Sequence, residues 1–445
     1  MSNEPGSSQV AASSEETDSF DAIVIGAGPA GCAAAYRLAS AGLSVVLIER
    51  GDPPGSKNVS GGVLYSAVLN ELIPEFYETA PMERAITRHA TTFLTKDASC
   101  SLDYRSTTLG TAPYNAFSVL RAKFDAWFAG RAEEAGAFLM PGIRVDEPLM
   151  ENGSVVGVRA GGEILRAGVV IAADGANSFM AQAAGLRTRN TPRDVAVGIK
   201  GIMQLPRESI EDRFGLDGNE GAAYSFVGDV TDGLAGGGFL YTNVESLSVG
   251  VVVRVDDLAA SGIKSSQLLR SFLSHPLIAP MTRRGELVEY GAHLVPEGGE
   301  KMTGKVFGDG ILVAGDAAGF AINNGLVVRG MDLAIGSGVC AAETVIEARR
   351  VGDYSARTLR SYPDRLREGF VLQDLHTYHR APHFLDRHRL YSTYPAFLTQ
   401  VFHDIYATDG TPREHLVASA RKAMKDSHLT IPALTGDALA AVRAL

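Results

Sequence analysis

The residues best equipped for chemistry are three glycines, Gly26, Gly28 and Gly31, in the run Gly26-Ala27-Gly28-Pro29-Ala30-Gly31. They follow the apolar segment 21–25 directly. A helix-like stretch, 32–41, comes next, and a second apolar run, 44–48, closes on Glu49. Strand, glycine turn, helix, strand and acid is the arrangement that binds a dinucleotide. Gly26 permits the tight turn, Gly28 lets backbone approach a pyrophosphate, and Gly31 lets the helix pack closely on the sheet. Pro29 and Ala30 open the helix, whose unpaired N–H groups and dipole favour an anion. Glu49 is placed to accept hydrogen bonds from ribose hydroxyls. A glycine turn in some other α/β protein is the plain alternative, and the flanking strands and the acid argue against it.

Three further motifs fit one nucleotide. Arg121-Ala-Lys-Phe-Asp125 opens a helix after a strand, so that Arg121 can pair with pyrophosphate or cover adenine; an ordinary helix start with an exposed arginine is the alternative. Ala172-Ala173-Asp174-Gly175-Ala-Asn-Ser178 ends an apolar strand and resembles the DG motif of flavoprotein hydroxylases. Gly315-Asp316-Ala317-Ala318-Gly319 precedes a long helical pattern, and Asp316 resembles the acid that bonds ribitol hydroxyls in the GD motif. Backbone N–H groups behind Asp316, up to Gly319, face phosphate and flavin in that reading. Arg50, beside the acid, and Val145, opening a short strand, complete the expected cofactor contacts. No second GxGxxG with strand and helix flanks occurs. One permanently held FAD therefore explains the chain better than an exchanging nicotinamide.

These motifs must be positioned by elements that the pattern makes legible. At 445 residues the chain is too long for one simple core. Its 45% hydrophobic and 21% charged content is ordinary for a soluble globular protein. No run of about 18 uncharged apolar residues is present to span a bilayer. Residues 1–19 are Ser/Glu-rich, with four acids and no Lys or Arg, and read as a disordered tail on a cytoplasmic protein. A net charge of −10 argues against nucleic acid. Three scattered cysteines, Cys32, Cys100 and Cys340, suit a reducing compartment and fall short of the four thiolates that an iron–sulfur cluster typically takes. The fold class is α/β, a para-hydroxybenzoate-hydroxylase-like, glutathione-reductase-type FAD fold assembled from separated segments, 20–85, 115–193 and 303–350. A helix is expected over 63–76. Residues 86–114 and 194–302 are expected to form one broad antiparallel sheet facing quinone or substrate. Residues 351–445 read as helical and, over 349–425, carry a local +5. That surface is either solvated or a face for a partner or anionic lipid.

A closer resemblance lies in Lys57-Asn58-Val-Ser-Gly61-Gly62, in Ser118-Val-Leu-Arg121-Ala-Lys-Phe-Asp125-Ala-Trp127 and in Asp194-Val-Ala-Val-Gly198-Ile-Lys200. Gly236-Gly-Gly-Phe-Leu-Tyr-Thr-Asn243, Arg329-Gly-Met-Asp-Leu-Ala-Ile335, Ala381-Pro-His-Phe-Leu385 and Ala407-Thr-Asp-Gly410 extend it. Together they resemble the FixC family, bacterial relatives of electron-transfer-flavoprotein:quinone oxidoreductase, from about residue 20 to the end. The resemblance implies a flavin relay: a two-subunit electron-transfer flavoprotein donates, FAD holds the electrons, quinone accepts them, and a separate ferredoxin-like iron–sulfur protein takes part, in a bifurcating complex or a simple chain. It adds Gly61 and Gly62 to the cofactor contacts. It also matches Gly236 and Gly237 to a glycine pair facing the quinone ring, for which a β-bulge is the alternative. Lys200 matches a recurrent lysine, but Gly201 follows where an acid is common, and no role is assigned to it. The aromatic stretch 390–406 is either a helix face packed on its own domain or a peripheral contact with the inner face of the plasma membrane. His376, His379, His383, His388 and His403 show no ligand pattern and read as solvated, so no metal is expected. The rival readings are an NAD(P)H-dependent monooxygenase or geranylgeranyl reductase on the same fold, and an assembly subunit whose flavin is structural.

Overall fold

The computed structural model describes residues 19–58, 61–412 and 414–445. The expected disordered tail lies outside the described residues, except that Ser19 already opens the first strand.

Apolar runs buried on both faces build the smaller sheet. Its spine runs Phe307–Gly308, Ile311–Val313, Glu163–Ala172, Ser19–Ile25, Val45–Glu49 and Phe138–Pro141, with Val145–Glu151 and Ser154–Ala160 attached as a hairpin arm. The four central strands and Phe138–Pro141 pair in parallel, so helices must cover both faces, and near-continuous Val/Ile/Leu runs result. One cover is helix Pro29–Ser40, which crosses the long helix Met331–Val351. They meet so closely that a Cβ on Gly338 would lie 2.2 Å from the carbonyl oxygen of Ala30. Glycine is the only residue that fits there.

The larger sheet has the order Glu286–Pro296, Val195–Gln204, Ser246–Arg254, Gly236–Thr242, Glu220–Gly228, Met82–Leu94, Ala116–Leu120, Gly61–Tyr65, with Ser99–Arg105 on Met82–Leu94. Three expectations change. Strands Gly61–Tyr65 and Ala116–Leu120 belong to this sheet rather than to the dinucleotide unit. The segment 63–76 is a strand end, a short helix Ala67–Leu72 and a 3₁₀ turn, not one helix. And the sheet is mixed, because Glu220–Gly228 runs parallel to Met82–Leu94. Its outer face buries Ile199, Leu240, Val249, Val251 and Phe226 in a second core with Phe272 of helix Ser265–Ser274. Its inner face turns toward the dinucleotide unit. The remainder is helical to Ala444, and among the described residues no helix is long and apolar enough to cross a membrane.

Candidate functional site

The glycine turn divides its work among three positions. Gly26 has φ +96°, and a Cβ there would lie 2.5 Å from the carbonyl oxygen of Ala173. A Cβ on Gly31 would lie 1.8 Å from the carbonyl oxygen of Gly26, so Gly31 serves packing. Gly28 differs: among the described residues, its chain neighbours aside, a Cβ there would meet only Arg121 Nη2, at 3.7 Å. Space in front of Gly28 is thus reserved for something other than protein. Gly28 caps helix Pro29–Ser40 with no side-chain hydrogen bond, and Pro29 sits in its first turn. The helix therefore presents unanswered N–H groups to an anion.

Charged groups frame that space. Arg121 donates from Nε and Nη2 to the buried Asp125, at 2.7 Å each, and Asn58 Nδ2 donates to the same carboxylate at 2.9 Å. Burial opposes the Arg121 charge, but Asp125 outweighs it and the net direction is up. Glu49 accepts from the Ala27 N–H at 2.9 Å and the Gly51 N–H at 2.7 Å, so it ties the second strand to the glycine turn. Each oxygen keeps lone pairs for further donors. The chain before Val145 lies beside it, with Ile143 N–H donating to the Glu49 carbonyl at 3.0 Å. Val145 itself packs on the main core, and Arg50 is exposed. Gly61 and Gly62 form the edge strand: a Cβ on Gly61 would lie 2.0 Å from the Val119 carbonyl oxygen, and Gly62 faces Met331.

The other two motifs converge on the far side. Asp174 accepts from the Met180 N–H at 3.0 Å, while its Oδ1 is buried without a hydrogen bond. Burial raises the Asp174 pKa. Gly175 has φ +77° and open space where a Cβ would be. Ser178 bonds the Ala317 carbonyl at 2.7 Å, so the DG segment holds the GD turn directly. Gly315, φ +63°, donates to Ser337 Oγ at 2.9 Å, and Gly319, φ +82°, lies against Met302 and Arg187. Burial raises the Asp316 pKa against the pull of Arg121, His293, Lys200 and Arg187. Sequence reasoning missed Arg187. Its Nη1 donates to the Ala317 carbonyl, its Nη2 is buried without a partner, and burial lowers its pKa. No local motif marks it, since its partners lie about 130 positions away.

The inner face of the larger sheet closes the site. Antiparallel partners share a face, so the register puts Lys200 in line with Gly250 and Gly291, with Phe239 beyond Gly250. Gly198, two residues earlier, aligns with His293 on one side and with Val252 and Gly237 on the other. Gly237 is therefore on this face and Gly236 on the opposite one. Further along, Val63, Tyr65, Ile86, Ala116, Ala223 and Tyr241 make an apolar and aromatic patch. Arg329 covers it, 5.8 Å from the Tyr65 ring centroid and anchored at 2.5 Å to both Asp332 and Asp374. Of the histidines, His376 and His379 gather with Glu300, their ligand atoms all within 4.8 Å. Glu300 arrives from 76 residues away, which no local spacing could reveal.

Gly28 and Gly175, open where a side chain would stand, the unpaired Asp174 Oδ1 and Arg187 Nη2, and the Arg121 clamp together fit an extended dinucleotide with a ribityl chain. This fold and site define an FAD-dependent oxidoreductase: a profile described as FAD dependent oxidoreductase matches residues 21–109. A second, the ETF-QO/FixC family C-terminal domain, matches residues 381–445. Protein FixC of Escherichia coli K12 is 47% identical over 397 residues, covering 89% of this chain and 92% of that protein. The probable electron transfer flavoprotein-quinone oxidoreductase YdiS of the same strain is 44% identical over the same shares. The chain belongs to the FixC family, and its cofactor is FAD. Among solved structures, a geranylgeranyl bacteriochlorophyll reductase-like protein of Thermoplasma acidophilum superposes with a TM-score of 0.70 at 22% identity, over 92% of this chain and 97% of that one. The flavin-dependent brominase Bmp2 gives 0.61 at 15% identity, over 92% and 99%. Both share the fold.

Proposed function

We propose that this oxidoreductase takes electrons from a two-subunit electron-transfer flavoprotein and passes them through FAD to quinone. The observation that carries the quinone assignment is the patch of Val63, Tyr65, Ile86, Ala116, Ala223 and Tyr241 on the sheet face turned toward the flavin site. A flat, largely apolar ring suits such a face, and the Arg329 guanidinium at its rim suits a carbonyl oxygen. Burial raises the Tyr65 hydroxyl to about 12, with Asp332 adding to the rise and Arg329 opposing it, so it stays a neutral donor. FAD supplies the redox chemistry when bound. The chain's part is to hold the phosphates at Gly28 and Arg121, hold the ribityl side at Asp316, and present the aromatic face.

A separate ferredoxin-like iron–sulfur protein fits the cysteine inventory, since Cys32 is buried in the first helix and the three cysteines are free. Peripheral membrane contact is supported by an exposed apolar set. Leu102 and Tyr104 on the Ser99–Arg105 strand are 68% and 58% exposed, and Phe402 and Tyr406 on helix Thr393–Tyr406 are 41% and 78% exposed. A groove of about 570 Å³ runs between that strand and helix. Such a set would place the protein at the inner face of the plasma membrane, where quinone is reached from lipid.

The test is anaerobic mixing of the holoenzyme with reduced electron-transfer flavoprotein, with and without quinone and the ferredoxin-like protein, while flavin absorbance is followed. Flavin bleaching by the donor and recovery on adding quinone are expected. Bleaching by NADPH alone would move the protein to the monooxygenase and reductase class. A flavin that no donor reduces would leave it a structural subunit.

A further inference from the structure

Lys200 stands on strand Val195–Gln204 among glycines. Both cross-strand neighbours on its face are glycines, Gly250 and Gly291, and the residue two before it is Gly198. A Cβ on Gly198 would lie 3.2 Å from Lys200 Cε, and one on Gly250 would collide with the Phe239 ring at 2.4 Å. Gly250 thus makes room for the Phe239 ring, and Gly198 makes room for the Lys200 stem, which lies back over it. The groups facing the amine are the guanidinium of Arg121, from the helix start, and the carboxylate of Asp316, from the GD turn. His293 on the adjoining strand and Arg187 act on the same Asp316. Yet no hydrogen bond or ion pair to the Lys200 amine is formed among the described residues. Burial lowers its pKa to about 8, Arg121 adds to the fall and Asp316 opposes it. The half-buried amine is thus left without a protein partner, within electrostatic reach of two groups of the FAD motifs.

We infer that Lys200 is a cofactor contact, its ammonium donating to an acceptor atom of bound FAD on the inner face of the larger sheet. The unanswered donor then has its partner whenever FAD is present. Gly198 has its reason too, since it lets the lysine stem lie close to the sheet. This inference rests on FAD binding alone and not on the identity of the electron donor or acceptor.

The experiment uses the full-length holoenzyme carrying Lys200→Met, Lys200→Gln or Lys200→Arg. FAD release on serial dilution, read by flavin fluorescence, gives the dissociation constant. Thermal unfolding is followed after the FAD has been stripped from the same full-length protein and again with FAD in large excess. Losing a charge-assisted hydrogen bond should weaken FAD binding about tenfold or more in the Met and Gln variants. The rise in melting temperature produced by excess FAD should shrink with it. The melting temperature without added FAD should not fall, because no protein partner is lost. Lys200→Arg should keep affinity within a few-fold of the parent. FAD affinity within twofold of the parent in Lys200→Met, or an Arg variant as weak as the Met variant, would overturn the contact. A fall in melting temperature equal with and without FAD would make Lys200 a structural residue instead.

Discussion

Arg121 grips Asp125 through two hydrogen bonds of 2.7 Å, and among the described residues, its chain neighbours aside, the same Arg121 Nη2 is what comes within 4 Å of where a Gly28 Cβ would stand. The carboxylate thereby aims the guanidinium across the glycine turn. Asp125→Ala should release that aim and weaken FAD binding about tenfold, which corresponds to about 1.4 kcal/mol, within the range for a lost charged hydrogen bond. Arg121→Ala should cost at least as much. The double variant should cost no more than Arg121→Ala alone, because Asp125 acts through the arginine. FAD titrations of the three variants check this, and additive losses would give Asp125 a contact of its own.

The two glycines of one motif should fail in opposite ways. Gly31→Ala drives a Cβ into the Gly26 carbonyl, where only backbone can move, and should lower melting with or without FAD. Gly28→Val meets no wall within the protein. It should leave unfolding without FAD close to the parent while FAD is excluded. Melting curves and flavin content of the purified variants separate the outcomes.

The glycine turn, the acid and the DG and GD segments were legible because each is a local pattern: a strand end, a tight turn, a helix start. What was not legible arises from pairing between distant segments. Strands Gly61–Tyr65 and Ala116–Leu120 sit beside the dinucleotide motifs in sequence, yet hydrogen-bond into the larger sheet. Arg187 has no motif, since its acceptors are carbonyls near Ala317. Lys200 was visible as a residue but not as a site, for the glycines aligned with it and the charges near it come from distant segments. The parallel pairing of Glu220–Gly228 with Met82–Leu94 likewise follows from a long crossover that periodicity cannot show.

The glycine pair and the aromatic patch make separable claims about quinone. A Cβ on Gly237 would lie 2.7 Å from the Phe226 carbonyl oxygen and one on Gly236 2.1 Å from that of Val252. Gly237→Val should therefore lose about 1–3 kcal/mol of stability by overpacking before any quinone effect is read. Tyr65→Leu and Tyr241→Leu are cleaner. Each should raise the quinone KM about 2- to 10-fold, as expected for a lost aromatic contact of about 0.5–1.5 kcal/mol. FAD content and reduction by the electron-transfer flavoprotein should stay unchanged. Steady-state quinone kinetics beside single-turnover flavin reduction test both statements, and unaltered KM in both variants would remove the patch from the quinone site.

Glu297 sets a pH dependence whose sign can be worked out. Burial raises its pKa to about 7, while hydrogen bonds from Asn323 Nδ2, 3.2 and 3.4 Å to its two oxygens, and the nearby Arg254 pull it down. In the unfolded chain the carboxyl titrates at about 4.3. Between these values the folded state holds a proton that the unfolded state has released. Stability from this group is thus complete below about pH 4 and is lost as pH rises through 7. Glu297→Gln mimics the protonated form and cannot ionise, so its own contribution should not change with pH. Denaturant unfolding at pH 5 and pH 8 should show Glu297→Gln gaining stability relative to the parent at the higher pH. Asn323 lies in the hairpin Ile322–Arg329 whose other end is the Arg329 that covers Tyr65. Ionisation of Glu297 should therefore also change hydrogen-exchange protection, measured against the intrinsic rate at each pH, in residues 322–329, and equal protection at both pH values in parent and variant would separate the carboxyl from that hairpin.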